Sequence, residues 1–443
     1  MLEDKATYDS AGDSSPGASS TPSSALAASS PAPQGDLPSR AAADTSDRDV
    51  FAKAARFTDI AFLKSLNFYP FYQVVENSQS TTARIGGREC VMLGSNDYLG
   101  LTAHPEVRQA AADAALTHGS SLTGSRLLNG THILHQRLEA ELAAFFDKPA
   151  ALVFTTGYQA NLGVLSALVG KNDFIIADKM NHASIFDGAA LAKGKLVLYG
   201  HNDMASLEHK LESLPADAGK LIVIDGVFSM EGDLCNLPEI VALAEKFGAR
   251  VMVDDAHGVG VHGPGGRGTA HQFGLQDKTD LIVGTFSKSL ASIGGFVVGQ
   301  PDVIEYIRHF GRSVLFSASM APAQAAAARK SLEILRREPD RVTRVQANAR
   351  HLRDSLADAG LHLGPTESPI IPIIIGDELT TLRLWRELLD GGVYVNAVLH
   401  PAVPRKSSLL RSSCSSQHTR EQLDRAIELI TRIAAPVELA KSA

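Results

Sequence analysis

Cysteine, excess positive charge and long apolar runs are all scarce in this chain. Only three of its 443 residues are cysteine, Cys90, Cys235 and Cys414, and they lie far apart. They form no metal-ligand spacing and no disulfide framework, so a reducing cytoplasm is the expected compartment. The formal net charge is -7, which gives no electrostatic reason to expect a nucleic-acid partner. No apolar run reaches the length of a membrane-spanning helix. The first residues show neither the basic-then-apolar order of a secretory signal nor the Arg-rich character of a transit peptide.

What is present is a large globular pattern behind a polar leader. Residues 1–48 are rich in Ser, Ala, Pro and Gly and are predicted to be a disordered tail, because they cannot bury enough surface to offset their ordering entropy. Residues 49–95 read as an arm carrying a hairpin, TARIGGRECVML, with Gly86-Gly87 as its turn. Residues 96–330 read as a large domain. Short apolar runs recur there at 151–154, 174–177, 195–199, 221–225, 250–254, 281–284 and 294–299. Helix-period segments separate many of them, such as LPEIVALAEKFGA (237–249), with Pro near its start and Gly near its end. Such alternation predicts an α/β architecture with a mostly parallel sheet between helices. Residues 331–443 read as a smaller C-terminal α+β domain. With 44% hydrophobic residues the chain has material for both cores.

In open α/β sheets, ligands bind beyond the carboxyl ends of the strands. Five strand ends here run into polar segments: TTGYQAN, KMNHASIFDG, GVFSMEGD, DAHGVG and TFSKS. Lys288 follows a strand between small hydroxyl residues. Most lysines are ordinary surface residues, but a confined one can lose its proton and form a Schiff base with a carbonyl. Asp254 ends the run RVMVD, where an isolated charge needs a partner. A protonated pyridine nitrogen is one such partner, and it lets an aromatic ring accept electrons from a carbanion; a helix cap or a salt bridge is the competing role. Asp255 is the adjacent competitor and points to the opposite strand face if the strand continues. His257 suits donation to a phenolic oxygen or a structural hydrogen bond. His182 offers a flat ring for stacking, or merely a neighbour to a helix cap. Gly157 and Tyr158 open a helix whose free N–H groups suit a phosphate, although a lone Gly turn is equally common. GPGGRG (263–268) is not followed by a helix in the dinucleotide-binding manner, no Walker motif occurs, and the stretch reads as a loop.

Each of these residues keeps its competing structural role, but a lysine, a carboxylate, two imidazoles and a helix N-terminus at one sheet edge would together suit pyridoxal 5′-phosphate (PLP), as in the fold-type I enzymes that the wider motif order resembles. The ordered segments GSNDYLGLTAHP (94–105), GSRLLNGTHILHQRLE (124–139), TGYQANLG, NHASIFDG, DGVFSMEGD, VMVDDAHGVGVHGPGGRG and GTFSKS resemble those of the α-oxoamine synthases over roughly residues 50–440. The resemblance implies that Lys288 is the Schiff-base lysine and the acid/base at the substrate Cα. It implies Asp254 at the pyridine nitrogen, His257 at the phenolic oxygen and His182 on the ring. Gly157, Tyr158, Thr285 and Ser287 would surround the cofactor, with Ser317 and Ser319 reaching the phosphate of a neighbouring subunit in a homodimer. Asn96 and Arg411 would hold the amino-acid substrate, Arg411 at its carboxylate.

The implied reaction is a decarboxylating condensation of an amino acid with an acyl thioester. Ser287 before the lysine, and VYVNAVLHPAVP (393–404), resemble the serine-using, palmitoyl-transferring branch, which makes a 3-keto sphingoid base as the first step of sphingolipid synthesis. The stretches LASIGGF after the lysine and SSCSSQH after Arg411 depart from that pattern. They leave glycine or alanine as alternative amino acids and a carrier-protein thioester as an alternative to palmitoyl-CoA. A PLP-binding regulatory or non-catalytic protein is the more remote alternative; the former needs a DNA-binding domain, and retention of Lys288 argues against the latter.

Overall fold

The computed structural model describes residues 49–439; the tail expected over residues 1–48 lies outside the described residues. Residues up to Asp59 form one unit and Ile60 onward a second. The described part of the first carries a short helix, Ala52–Ala55.

Strands β1 (Val75–Gln79), β2 (Thr82–Ile85) and β3 (Arg88–Met92) form an antiparallel meander. Gly86 and Gly87, with φ of 56° and 75°, make the β2–β3 turn expected from the sequence. Two positive φ values in a row give the turn the twist that a two-residue hairpin needs.

The main sheet has seven strands: β4 (Ala150–Phe154), β5 (Phe174–Asp178), β6 (Lys195–Tyr199), β7 (Lys220–Asp225), β8 (Arg250–Asp254), β9 (Leu281–Thr285) and β10 (Gly295–Gly299). Their order is β4-β10-β9-β8-β7-β5-β6. β10 runs antiparallel to both neighbours, and the remaining pairs are parallel. Because β4 and β9 both oppose β10, they run the same way, so five loop-bearing strand ends meet at one edge. Successive side chains of a strand point to opposite faces. Ile222, Ile224, Val251, Val253 and Ile282 accordingly pack into one core, and Leu221, Val223, Met252, Leu281 and Val283 into another on the far face. Each fully buried aliphatic side chain contributes roughly 1.5–3 kcal/mol, so the sheet is a rigid platform for whatever its edge carries.

Local sequence sets the helix ends. Thr156 caps helix Gly157–Leu168 by accepting from the Gln159 N–H at 3.1 Å. Helix Leu237–Phe247 has proline in its first turn and stops at Gly248, which is left-handed, as Pro and Gly at those positions require. The GPGGRG stretch, expected as a loop, contains one 3₁₀ turn at Pro264–Gly266.

The C-terminal part has β11 (Ile370–Gly376), β12 (Val393–Tyr394), β13 (Asn396–Val398) and β14 (Ser408–Ser413). β11, β14 and β13 form an antiparallel sheet in that order, while β12 pairs with β3 in parallel. Helices Asp340–Asp358, Glu378–Asp390 and Arg420–Leu439 accompany these strands. Leu352, Ile371, Ile373, Trp385, Leu410 and Ile430 share their core. Its value for the site is Arg411, held in the middle of β14.

Candidate active site

A cavity of about 260 Å³ opens at the carboxyl edge of the main sheet. Its walls include Gly157 and Tyr158 after β4, His182 after β5, Asp225 at the end of β7, Asp254 and His257 at the end of β8, and Thr285, Ser287 and Lys288 at the end of β9. Eight of the sequence-predicted residues therefore meet in one place. Asn96 and Arg411 lie in an adjoining cluster. Ser317 and Ser319 are not among the cavity walls of this chain; Ser317 Oγ accepts from Gln159 Nε2 at 3.1 Å, and Ser319 Oγ is buried without a hydrogen-bond partner among the described residues.

Asp254 is buried. Its Oδ2 accepts from Asn161 Nδ2 at 2.6 Å and its Oδ1 from the Ala256 N–H at 3.1 Å. Among the described residues no cation is bonded to it directly, and its carboxylate lines the cavity. Asp255 does turn away: it accepts from the Thr269 N–H and hydroxyl, each at 2.6 Å. Its full burial pushes its carboxyl up to about 7. The strand ends at Asp254, so it is the Thr269 bonds rather than strand alternation that turn Asp255 away.

Lys288 is half-buried. Desolvation by the surrounding protein pushes its amine down to about 8, against the pull of Asp254 and Asp225. A lysine so placed has a neutral, nucleophilic fraction near neutral pH. Burial, followed by the charges of Lys288 and Arg411, holds His257 well below its ordinary value. His182 caps helix Ala183–Leu191 by accepting from the Ser184 N–H at Nδ1, at 3.3 Å, and its ring still lines the cavity. Capping the helix leaves the ring facing the cavity.

At the opposite end, a Cβ on Gly157 would come within 2.8 Å of Thr285 Cβ. Only glycine lets the helix N-terminus sit this close to the β9 edge. Thr285 Oγ1 bonds Ser287 Oγ at 2.8 Å and donates to the Gly294 carbonyl at 2.9 Å. Tyr158 is half exposed, and its hydroxyl bonds Asp187.

Arg411 is buried and fixed by three bonds. Nε reaches the Ser229 carbonyl at 2.6 Å, Nη1 reaches Ser413 Oγ at 3.0 Å, and Nη2 reaches Asn96 Oδ1 at 3.1 Å. Ser229 is also a cavity wall, so it joins the two clusters.

Sequence reasoning missed Asn161, Asp225 and Ser229. Asp225 sits level with Asp254 on the neighbouring strand. It accepts from the His182 N–H at 3.0 Å. Burial, then Asp254, raises its carboxyl well above the usual range. Its position at the end of LIVID is the same signal that singled out Asp254. Nothing in the sequence distinguishes Asn161 from any other helical asparagine.

The donor set fits PLP: an amine for its aldehyde, a carboxylate for its ring N–H, an imidazole for its phenolic oxygen, a flat ring for stacking, and a helix N-terminus with hydroxyls for its phosphate. Two cavity-wall residues, Asn161 and Asp225, each have a buried oxygen, Oδ1, without a partner among the described residues.

Known proteins agree. The family model for aminotransferase class I and II matches residues 88–430. A serine palmitoyltransferase of Sphingobacterium spiritivorum is 47% identical over 387 residues, spanning 87% of this chain and 97% of its own. An 8-amino-7-oxononanoate synthase of Exiguobacterium sibiricum is 41% identical over 382 residues, spanning 86% and 98%. The structure of a lysine-to-alanine variant of S. paucimobilis serine palmitoyltransferase, with a bound PLP–myriocin aldimine, superposes with a TM-score of 0.86 at 37% identity, covering 88% of this chain and 100% of that one. The chain is thus a PLP-dependent transferase of the aminotransferase class I and II family, with fold-type I architecture. Within that family it belongs to the α-oxoamine synthases.

Proposed function

We propose that this protein condenses L-serine with a long-chain acyl thioester, palmitoyl-CoA in the simplest case, with loss of CO2, giving a 3-keto sphingoid base. The observation that carries this reading is the Lys288 amine in the cavity wall with a fixed Arg411 in the adjoining cluster, in a chain 47% identical to a serine palmitoyltransferase.

Bound PLP supplies an electron sink next to the substrate Cα. Asp254, oriented by Asn161, would hold the ring nitrogen, and His182 would stack on the ring. The helix N-terminus at Gly157 with Thr285 and Ser287 would take the phosphate, and the Lys288 amine would hold the aldehyde carbon. Arg411, held by Ser229, Ser413 and Asn96, binds the substrate carboxylate and so sets which Cα bond is aligned for cleavage. The Lys288 amine takes the Cα proton. Cα then bonds to the thioester carbonyl carbon and the thiol leaves. CO2 departs from the adduct, and Lys288 returns a proton to Cα.

Ser317 and Ser319 are assigned to the phosphate of a second copy in a homodimer. Support comes from the apolar side chains left exposed near them, Leu127, Leu128, Ile293 and Phe316. A cytoplasmic location suits three unpaired buried thiols. Among the described residues no helix is long and apolar enough to cross a membrane.

The test is product mass after incubation with serine, glycine or alanine and a panel of CoA and carrier-protein thioesters. A product retaining the serine hydroxymethyl group, with thiol and CO2 released, is expected. Turnover with glycine or alanine alone would replace serine in this reading.

A further inference from the structure

Tyr98, in the loop after β3, is completely buried. Its hydroxyl lies 2.7 Å from His257 Nδ1 and 3.2 Å from Asn96 Oδ1, within the field of the Arg411 charge. The phenol has one proton and two neighbours able to accept it. Asn96 Oδ1 is already supplied by Arg411 Nη2. His257 Nδ1 is the nearer acceptor, at 2.7 Å. Burial raises the phenol to about 12, so it keeps its proton, and the neutral His257 ring carries only one.

We propose that Tyr98 donates to His257 Nδ1 and thereby fixes His257 as the tautomer protonated at Nε2. His257 lines the cofactor cavity and Tyr98 does not. With Nδ1 turned to Tyr98, the nitrogen left for the cavity is Nε2, and it presents a donor instead of a lone pair. This rests on the reading of His257 as partner of the cofactor's phenolic oxygen, which needs a donor. Tyr98 is a positioning residue: it does not line the cavity, and it sits between the cofactor-side imidazole of His257 and Asn96, which accepts from Arg411.

The test uses cofactor-free full-length protein labelled with ¹⁵N-histidine. Long-range ¹H–¹⁵N correlations report which ring nitrogen carries the proton, and the His257 signals are those lost in His257→Asn. The wild type should show the Nε2–H form. In Tyr98→Phe the tautomer ratio should move by about tenfold, the effect of one net hydrogen bond. Tyr98→Phe should still take up PLP, with a shifted pH midpoint for its visible band. An Nδ1–H form in the wild type overturns the proposal even if Tyr98→Phe does not fold, as does an unchanged ratio in a folded Tyr98→Phe. Failure of wild-type protein to take up PLP would instead sink the cofactor reading, leaving the tautomer result intact.

Discussion

Asn161 donates its side-chain amide to Asp254 Oδ2 at 2.6 Å, joining residues 93 positions apart. The helix after β4 thereby aims a carboxylate that belongs to β8. Asp254 and its neighbour Asp255 are chemically identical, yet one faces the cavity and the other is consumed by Thr269. Asp254→Ala should reduce turnover by on the order of 100-fold or more, the cost of removing a preorganised charge, with little change in folding. Asp255→Ala should leave a buried Thr269 donor unpaired and destabilise the fold by ~1–3 kcal/mol. Turnover per folded molecule and thermal unfolding separate the two; equal losses of turnover would contradict the assignment.

Arg411→Ala should raise the KM for the amino acid by on the order of 10- to 100-fold, the worth of a charge-assisted hydrogen bond. The KM for the thioester should change much less. Steady-state kinetics with each substrate varied in turn measures both, and an unchanged amino-acid KM would remove Arg411 as the carboxylate clamp.

The two residues illustrate what the sequence makes visible. Asp254 and Lys288 are legible because each ends or follows a buried strand, where a charge has no structural excuse. Arg411 is not legible that way. It sits inside a strand whose burial pattern is uniform, and only resemblance to a family singled it out. Asn161 and Tyr98 act through partners distant in sequence, which no local pattern encodes. The direction of β10 is a different case. Its apolar run reads alike in either orientation, but only nine residues, 286–294, separate it from β9. A parallel crossover needs a dozen or more, so that spacing carried the answer.

Cofactor uptake should follow the Lys288 amine. Burial holds it near 8, and only the neutral amine attacks an aldehyde. The rate at which cofactor-free protein acquires the visible band should therefore rise with pH through about 8 and level off above it. A rate that does not change across that range, measured by stopped-flow absorbance, would contradict this.

His201 predicts a pH dependence of stability. Its ring bonds Asp178 through Nδ1 at 3.2 Å and Asp233 through Nε2 at 3.1 Å. Burial opposes its charge, but the two carboxylates prevail and raise it to about 10. A base whose folded pKa exceeds its unfolded value of about 6.5 stabilises the fold fully below that value. The benefit declines as pH rises and is gone above about 10. The stability difference between wild type and His201→Gln should shrink steadily between those two values in denaturant titrations. A constant difference would show that the ring is not charged.

The most direct test of the site is chemical trapping. Borohydride reduction of the PLP-loaded protein fixes the cofactor to whichever amine holds it, and peptide mass spectrometry then locates the modified residue. The expected result is a pyridoxyl group on Lys288 in wild-type protein and none in Lys288→Ala. A pyridoxyl group on another lysine, or the same labelling of Lys288→Ala, would contradict the assignment of Lys288 as the residue on which the chemistry turns.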